Sequence, residues 1–368
     1  MRPAFLVLFG SLLGSFTANG GTIAFLGDSI STGAAAHSAI GFDEPGLGKV
    51  FSGETPLVPS SSEKGMLSSA GFGAALDFAE PRRVWYSPRE FQNGYQWFLQ
   101  HALGAFSRRY LDVEQNSWSY LVARKLGYRA SDVVIAAEDG ARAMAALKQI
   151  DRVLEFQEEG VPDHFFFFFT GNDLCGHSMA FVTEAEDYGA DLRRAIEYLE
   201  RNLGAVDKTV DFWVLDPIGA LQLAHSPQIQ QKVVKAHGKD MTCRELQNLP
   251  FDAPEAMYTN VFLNQFFPKT PAGYCSTLLA NKTPQDRERL AKLATRIKDY
   301  RAAIADVVKD WQSGDSSRKV QVRHLLSPGR MILKEDDIAR DCFHLSFEGQ
   351  VSLANLVFDE LKEAKIAR

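Results

Sequence analysis

His164-Phe165-Phe166-Phe167-Phe168-Phe169-Thr170-Gly171-Asn172-Asp173 sets five consecutive phenylalanines directly ahead of a polar turn. A half-exposed strand would alternate and leave every second ring in water. An unbroken run therefore reads as a central parallel strand covered on both faces. Four other runs rich in branched or aromatic residues have strand length: Thr22–Leu26, Val133–Ala137, Val210–Leu215 and Lys319–Leu325. Helical patterns follow the first four strands in the chain, at 117–126, 141–159, 184–203 and 284–311, and a last one covers about 347–365. Thr283 ahead of Pro284 is an N-cap followed by proline in the first turn. Alternating strands and helices predict an α/β three-layer sandwich, with a parallel five-stranded sheet and right-handed crossovers. In such sheets ligands bind beyond the carboxyl ends of the strands.

At 368 residues the chain exceeds the usual size of one domain, so two domains or one domain with large insertions is expected. Two stretches, about 34–115 and 218–282, do not fit the strand–helix repeat. The first carries Pro59-Ser60-Ser61-Ser62 and then Trp85, Tyr86, Phe91, Tyr95, Trp97 and Phe98; the second carries Phe262, Phe266 and Phe267. Insertions of that length are lids, binding loops or disordered segments. With 45% apolar and 23% charged residues, the composition is that of an ordinary globular protein. A net charge of −6 argues against nucleic acid or an anionic membrane as a generic partner.

The segment 1–20 reads as an export signal, because Arg2 precedes the apolar run Ala4–Phe16 and the small residues Thr17-Ala18-Asn19-Gly20. The run is too short to span a bilayer. The remainder, 21–368, is then one domain. Four cysteines, Cys175, Cys243, Cys275 and Cys342, suit an oxidising compartment and allow three pairings. Cys243 with Cys275 is the most attractive on local grounds, since both lie in one loop-rich stretch. Cys175 and Cys342 would then approach each other or stay as buried thiols. No CxxC pair and no His/Cys cluster at zinc spacing occurs, and neither a metal nor a cofactor is expected.

The chemistry-bearing residues sit at the predicted strand ends. Gly27-Asp28-Ser29-Ile30 ends the first strand, and a serine there becomes a nucleophile only if a base takes its proton. Asp341-Cys342-Phe343-His344 precedes the last helix. A three-residue separation on a helical turn would put the Asp341 carboxylate beside the His344 imidazole, fixing its tautomer. Asn172 ends the phenylalanine strand and offers an amide to a developing oxyanion. Gly140, at the second strand's end, offers an N–H at the start of a helix whose dipole would assist; the Ser29 N–H is a third donor. Glu138 and Asp139 stand just before Gly140, and anions there would oppose an oxyanion unless paired or turned away.

These four blocks, in this order, resemble those of the SGNH (GDSL) hydrolase family. The resemblance spans residues 22 to 360 and implies a flavodoxin-like fold and a serine esterase. It implies Ser29 as nucleophile, His344 as general base and Asp341 as the residue that orients it. The Ser29 N–H, the Gly140 N–H and the Asn172 side chain would form the oxyanion hole. Gly140-Ala141-Arg142-Ala143-Met144 with Gln149, and Gly171-Asn172-Asp173-Leu174-Cys175, are similar to the phospholipase B branch, which cleaves fatty acyl esters. The expected substrate is a small-molecule or lipid ester, with transient contact to a lipid surface. A carbohydrate or peptidoglycan O-acetyl esterase is the second expectation, and a non-catalytic binding protein on the same scaffold the third. No Gly-x-Ser-x-Gly elbow occurs, which counts against the other large esterase fold.

Overall fold

The computed structural model describes residues 21–34, 36, 82–83, 114–155, 160–204, 206–236, 239–250, 252–253, 273 and 275–364. The expected leader at 1–20 and the aromatic clusters of both insertions lie outside them. Among the described residues the strands are β1 (Ile23–Gly27), β2 (Arg82–Arg83), β3 (Val133–Ile135), β4 (His164–Phe168), β5 (Val210–Leu215), β6 (Val233–Ala236), β7 (Lys239–Thr242) and β8 (Val320–Leu325). The helices are α1 (Ser29–Thr32), α2 (Trp118–Lys125), α3 (Ala146–Glu155), α4 (Ala185–Asn202), α5 (Gln222–His225), α6 (Pro227–Gln231), α7 (Cys243–Gln247), α8 (Ser276–Leu279), α9 (Pro284–Gln312) and α10 (Phe347–Glu363). None of them is long and apolar enough to cross a membrane.

The main sheet is parallel throughout, in the order β2-β3-β1-β4-β5-β8. Its five expected strands have the doubly wound order of flavodoxin-like folds, so the direction of winding reverses between β1 and β4. The sixth strand, β2, is two residues of the first insertion paired with β3 at the edge. The second insertion supplies the antiparallel pair β6–β7 and the short helices α5 to α8.

The phenylalanine run is the middle of the core. Phe165 to Phe169 are all buried, and they divide between the two faces as a strand requires. Phe166 and Phe168 meet Trp118 of α2, while Phe167 meets Tyr188 of α4. Helices α2 and α10 pack together as one layer; α3, α4 and α9 form the other. Each buried ring contributes on the order of 1.5–3 kcal/mol of transfer free energy. Thr283 caps α9 as expected, in a reciprocal arrangement with Asp286 and with Pro284 in the first turn.

The expected pairing of Cys243 with Cys275 is wrong, and Cys175 and Cys342 neither pair with each other nor stay as thiols. The disulfides are Cys175–Cys275 and Cys243–Cys342, bridging 100 and 99 residues of sequence. Local crowding in the second insertion does not decide the pairing. Thr277 of α8 binds the Cys175 loop through Gly176 N–H and Leu174 C=O, which carries Cys275 to Cys175. Gln247 of α7 donates to Cys342 C=O, which carries Cys243 to Cys342. Closing loops of this length removes about 4–5 kcal/mol of unfolded-chain entropy each in the chain-entropy picture.

Candidate active site

Ser29 stands at the carboxyl end of β1, beside the point where the winding reverses. The turn is tight because Gly27 has no side chain. A Cβ there would lie 2.5 Å from Ser31 Oγ and 2.6 Å from Phe168 C=O. Asp28 then caps α1, accepting from Ile30 N–H (3.0 Å) and Thr170 N–H (3.4 Å). Gly33, with φ of 75°, closes the helix after one turn.

Residues 341–344 form a turn rather than the helical stretch expected from their spacing. The Asp341 carboxylate folds back on its own backbone: Oδ1 accepts from Phe343 N–H (3.1 Å) and His344 N–H (3.0 Å). That leaves Oδ2 facing His344 Nδ1 at 2.5 Å. On the other side of the ring His344 Nε2 lies 2.9 Å from Ser29 Oγ. A hydroxyl, an imidazole and a carboxylate are thus in one hydrogen-bonded line, although 315 residues separate the first two. With the Nδ1 proton donated to Asp341, Nε2 is free to accept from the Ser29 hydroxyl. The loop is fastened by the bridge Ile338↔Leu345 and by the Cys342 disulfide. Cys342 is the one non-glycine residue with positive φ among the described residues, at 57°.

The electrostatics favour an imidazole that takes protons. Burial works against the charged form of His344, but the Asp341 charge and hydrogen bond outweigh it and raise the pKa above 6.5, with Asp139 and Asp28 adding to the effect. Burial likewise opposes ionisation of Asp341, yet His344 and the two backbone donors hold its pKa below the ordinary value. Asp28 has fewer partners, and burial lifts it to about 6.

Asn172, buried at 7% exposure, lies in the turn past the end of β4, on the opposite flank of the switch point from Ser29. Its side-chain amide has no protein partner among the described residues, and neither does the N–H of Ser29 or of Gly140. Gly140 is not where the sequence pattern put it. It occupies an exposed turn at φ of 77°, closed by Ala141 N–H to Glu138 C=O at 3.1 Å, and α3 begins only at Ala146. Open space surrounds its absent Cβ, so the left-handed backbone rather than crowding calls for glycine. A 3-10 turn from Ala143 to Ala145, capped by Arg142, runs into α3, so Gly140 lies before the cap and not at the helix start the sequence suggested. The two carboxylates before it are engaged. Glu138 pairs with the buried Arg152, and Asp139 accepts from Thr32 Oγ1 at 2.8 Å.

Sequence reasoning passed over Asp173. Fully buried, it accepts from Ala143 N–H (3.1 Å) and Thr183 Oγ1 (2.8 Å), so it joins the Gly140 segment to the Asn172 turn. Burial pushes its pKa up to about 7. Arg142 reinforces the same junction by donating to Cys175 C=O at 3.2 Å. An acid directly after Asn172 was visible, but its partner thirty residues earlier was not.

A doubly wound sheet thus carries this line of groups at its switch point. The family model described as GDSL-like Lipase/Acylhydrolase matches residues 23–357, and the chain belongs to that family. No curated protein matches the chain. A solved X-ray structure of a protein from Arabidopsis thaliana aligns at 11% identity and a TM-score of 0.39, over 93% of this chain and 98% of that one. At that score the likeness adds nothing to the fold described above.

Proposed function

We propose that the protein hydrolyses carboxylic esters through an acyl-enzyme on Ser29, with lipid acyl esters as the substrate class. The observation that carries this reading is the continuous line from Ser29 Oγ through His344 to Asp341. In the first half-reaction His344 Nε2 takes the hydroxyl proton as Ser29 Oγ bonds to the ester carbonyl carbon. The imidazolium returns that proton to the departing alkoxide, and the alcohol leaves. Water then repeats the sequence on the acyl-enzyme, releasing the acid and restoring Ser29. Asp341 keeps the imidazole in the required tautomer and stabilises its charge. The negative oxygen of each tetrahedral intermediate would be met by the N–H groups of Ser29 and Gly140 and by the Asn172 amide.

Two results are expected on this reading. Asn172→Ala lowers kcat by about two to three orders of magnitude with little change in KM, measured on an aryl ester, because one oxyanion donor is lost. The pH profile follows His344. Only the neutral imidazole is a base, and its pKa is raised, so kcat/KM climbs with pH through a midpoint above 6.5. Asp139→Asn shifts that midpoint downward by removing a nearby negative charge; a midpoint that stays put contradicts Asp139's influence on the ring.

The substrate class is tested by comparing acetyl, octanoyl and palmitoyl esters on purified protein. Preference for the longer chains supports the lipid reading. Preference for acetyl replaces it with an O-acetyl esterase. The same reading makes the protein an exported one, supported by two disulfides and by the leader pattern at 1–20.

A further inference from the structure

Two buried glutamines hold the two ends of the Ser29 turn, and no step of the chemistry above uses either. Gln149, fully buried on α3, accepts from Gly27 N–H through Oε1 at 2.8 Å and donates from Nε2 to Gly27 C=O at 2.9 Å. The place explains the need. On one side β1 pairs with β4 as far as Gly27, but on the other it pairs with β3 only from Ile23 to Phe25. β1 therefore outruns its neighbour by two residues just before Asp28 and Ser29. An amide side chain has the donor and acceptor of a peptide group, so Gln149 stands in where β3 has already left the sheet. Glu138 N–H, donating to the same Gly27 C=O at 3.1 Å, completes the substitute ladder from the Gly140 segment.

Gln350 of α10 does the matching work beyond the serine. Also fully buried, it donates to Ile30 C=O at 3.1 Å and accepts from Trp118 N–H at 2.8 Å. One helical layer thus grips the residue two before Ser29, and the other layer grips the residue just after it.

We propose that Gln149 is a positioning residue for acylation: by extending the sheet past the end of β3 it fixes where Ser29 Oγ stands relative to His344. The proposal rests on Ser29 being the nucleophile. Its effect belongs to the rate of bond formation at Ser29 and not to substrate affinity, because Gln149 touches neither substrate nor the serine side chain. A misplacement of about 1 Å at a reacting atom costs up to about 100-fold in rate.

The test compares Gln149→Met, Gln149→Glu and, as control, Gln222→Met. Gln222 makes the same two-handed grip on backbone elsewhere, donating to Met331 C=O at 2.8 Å and accepting from Leu333 N–H at 2.9 Å. Melting temperature, kcat and KM on an aryl ester, and the acylation rate by an aryl phosphonate probe are measured for each. Gln149→Met is expected to lower the acylation rate and kcat by about 10- to 100-fold per folded molecule with KM unchanged. Gln149→Glu keeps the acceptor for Gly27 N–H and, as the ionised carboxylate, sets an oxygen instead of a donor against Gly27 C=O, so assayed at a pH where it is ionised it should still acylate, but slowly. The control should lose melting temperature without losing acylation rate. Wild-type acylation in either folded Gln149 variant overturns the proposal, as does an equal loss in the control. Ser29→Ala separates the two ideas: if it retains turnover, the nucleophile assignment itself is wrong; if it is dead while Gln149 variants acylate normally, only the positioning role fails.

Discussion

Ser29→Ala should reduce ester hydrolysis by about six orders of magnitude in kcat, the scale at which removing the nucleophile acts in serine hydrolases. Nothing else in the described site can replace the hydroxyl. Ser31 and Thr32, the neighbouring hydroxyl residues, are fully buried, and Thr32 Oγ1 is held by Ser29 C=O and Asp139. The substitution should leave the fold alone, because Ser29 contributes its backbone to the turn and its side chain only to His344. Full activity measurements therefore need two companions: an unchanged melting temperature, and loss of labelling by a fluorophosphonate. Near-normal turnover by the alanine protein would defeat the acyl-enzyme mechanism outright.

The second large effect is expected at Asp341→Asn, a loss of about four orders of magnitude in kcat. Here the geometry makes the reason specific. Oδ1 of residue 341 is committed to the N–H groups of Phe343 and His344, so it cannot exchange places with the other terminal atom. Asparagine in the same pose must present its NH2 to His344 Nδ1. A donor there forces Nδ1 to accept, moves the ring proton to Nε2, and points that proton at Ser29. The base then faces the hydroxyl with its donor side. KM should change little, since no substrate contact is lost. The fall should be seen at every pH, because the fault is a tautomer and not a shifted titration. Retention of kcat within about tenfold would mean that Asp341 serves only the turn.

The parts of this protein that could be read from sequence are those in which a local pattern has one physical outcome. Five phenylalanines in succession fit only a strand covered on both sides, and the polar residues after them had to lie at its carboxyl end. The same logic put Gly27-Asp28-Ser29 at the end of β1. Where several local outcomes are compatible, the pattern misled. Asp341 and His344 meet through an aspartate that folds back onto the backbone, although their three-residue spacing suggested a helix. Gly140 was expected at a helix start, but residues 141–145 take another turn before α3 begins. Cysteine pairing is decided by which segments pack together across about a hundred residues, and no local rule carries that information. Gln149 illustrates the same limit: nothing in a helical Ala-Leu-Lys-Gln-Ile says that its amide will complete a strand 122 residues earlier.

The 315-residue interval between Ser29 and His344 also orders events in time. At about 5–20 residues per second, roughly 15 s to a minute of synthesis separates the two. On the proposed mechanism the growing chain carries throughout that interval a serine with no base, and a chain broken off before residue 344 never acquires one. Cys342 emerges in the same late stretch, two residues ahead of the imidazole, so the covalent fastening of the loop cannot precede the arrival of the base by more than moments. On the proposed mechanism the chain is therefore inert until nearly all of it has been made.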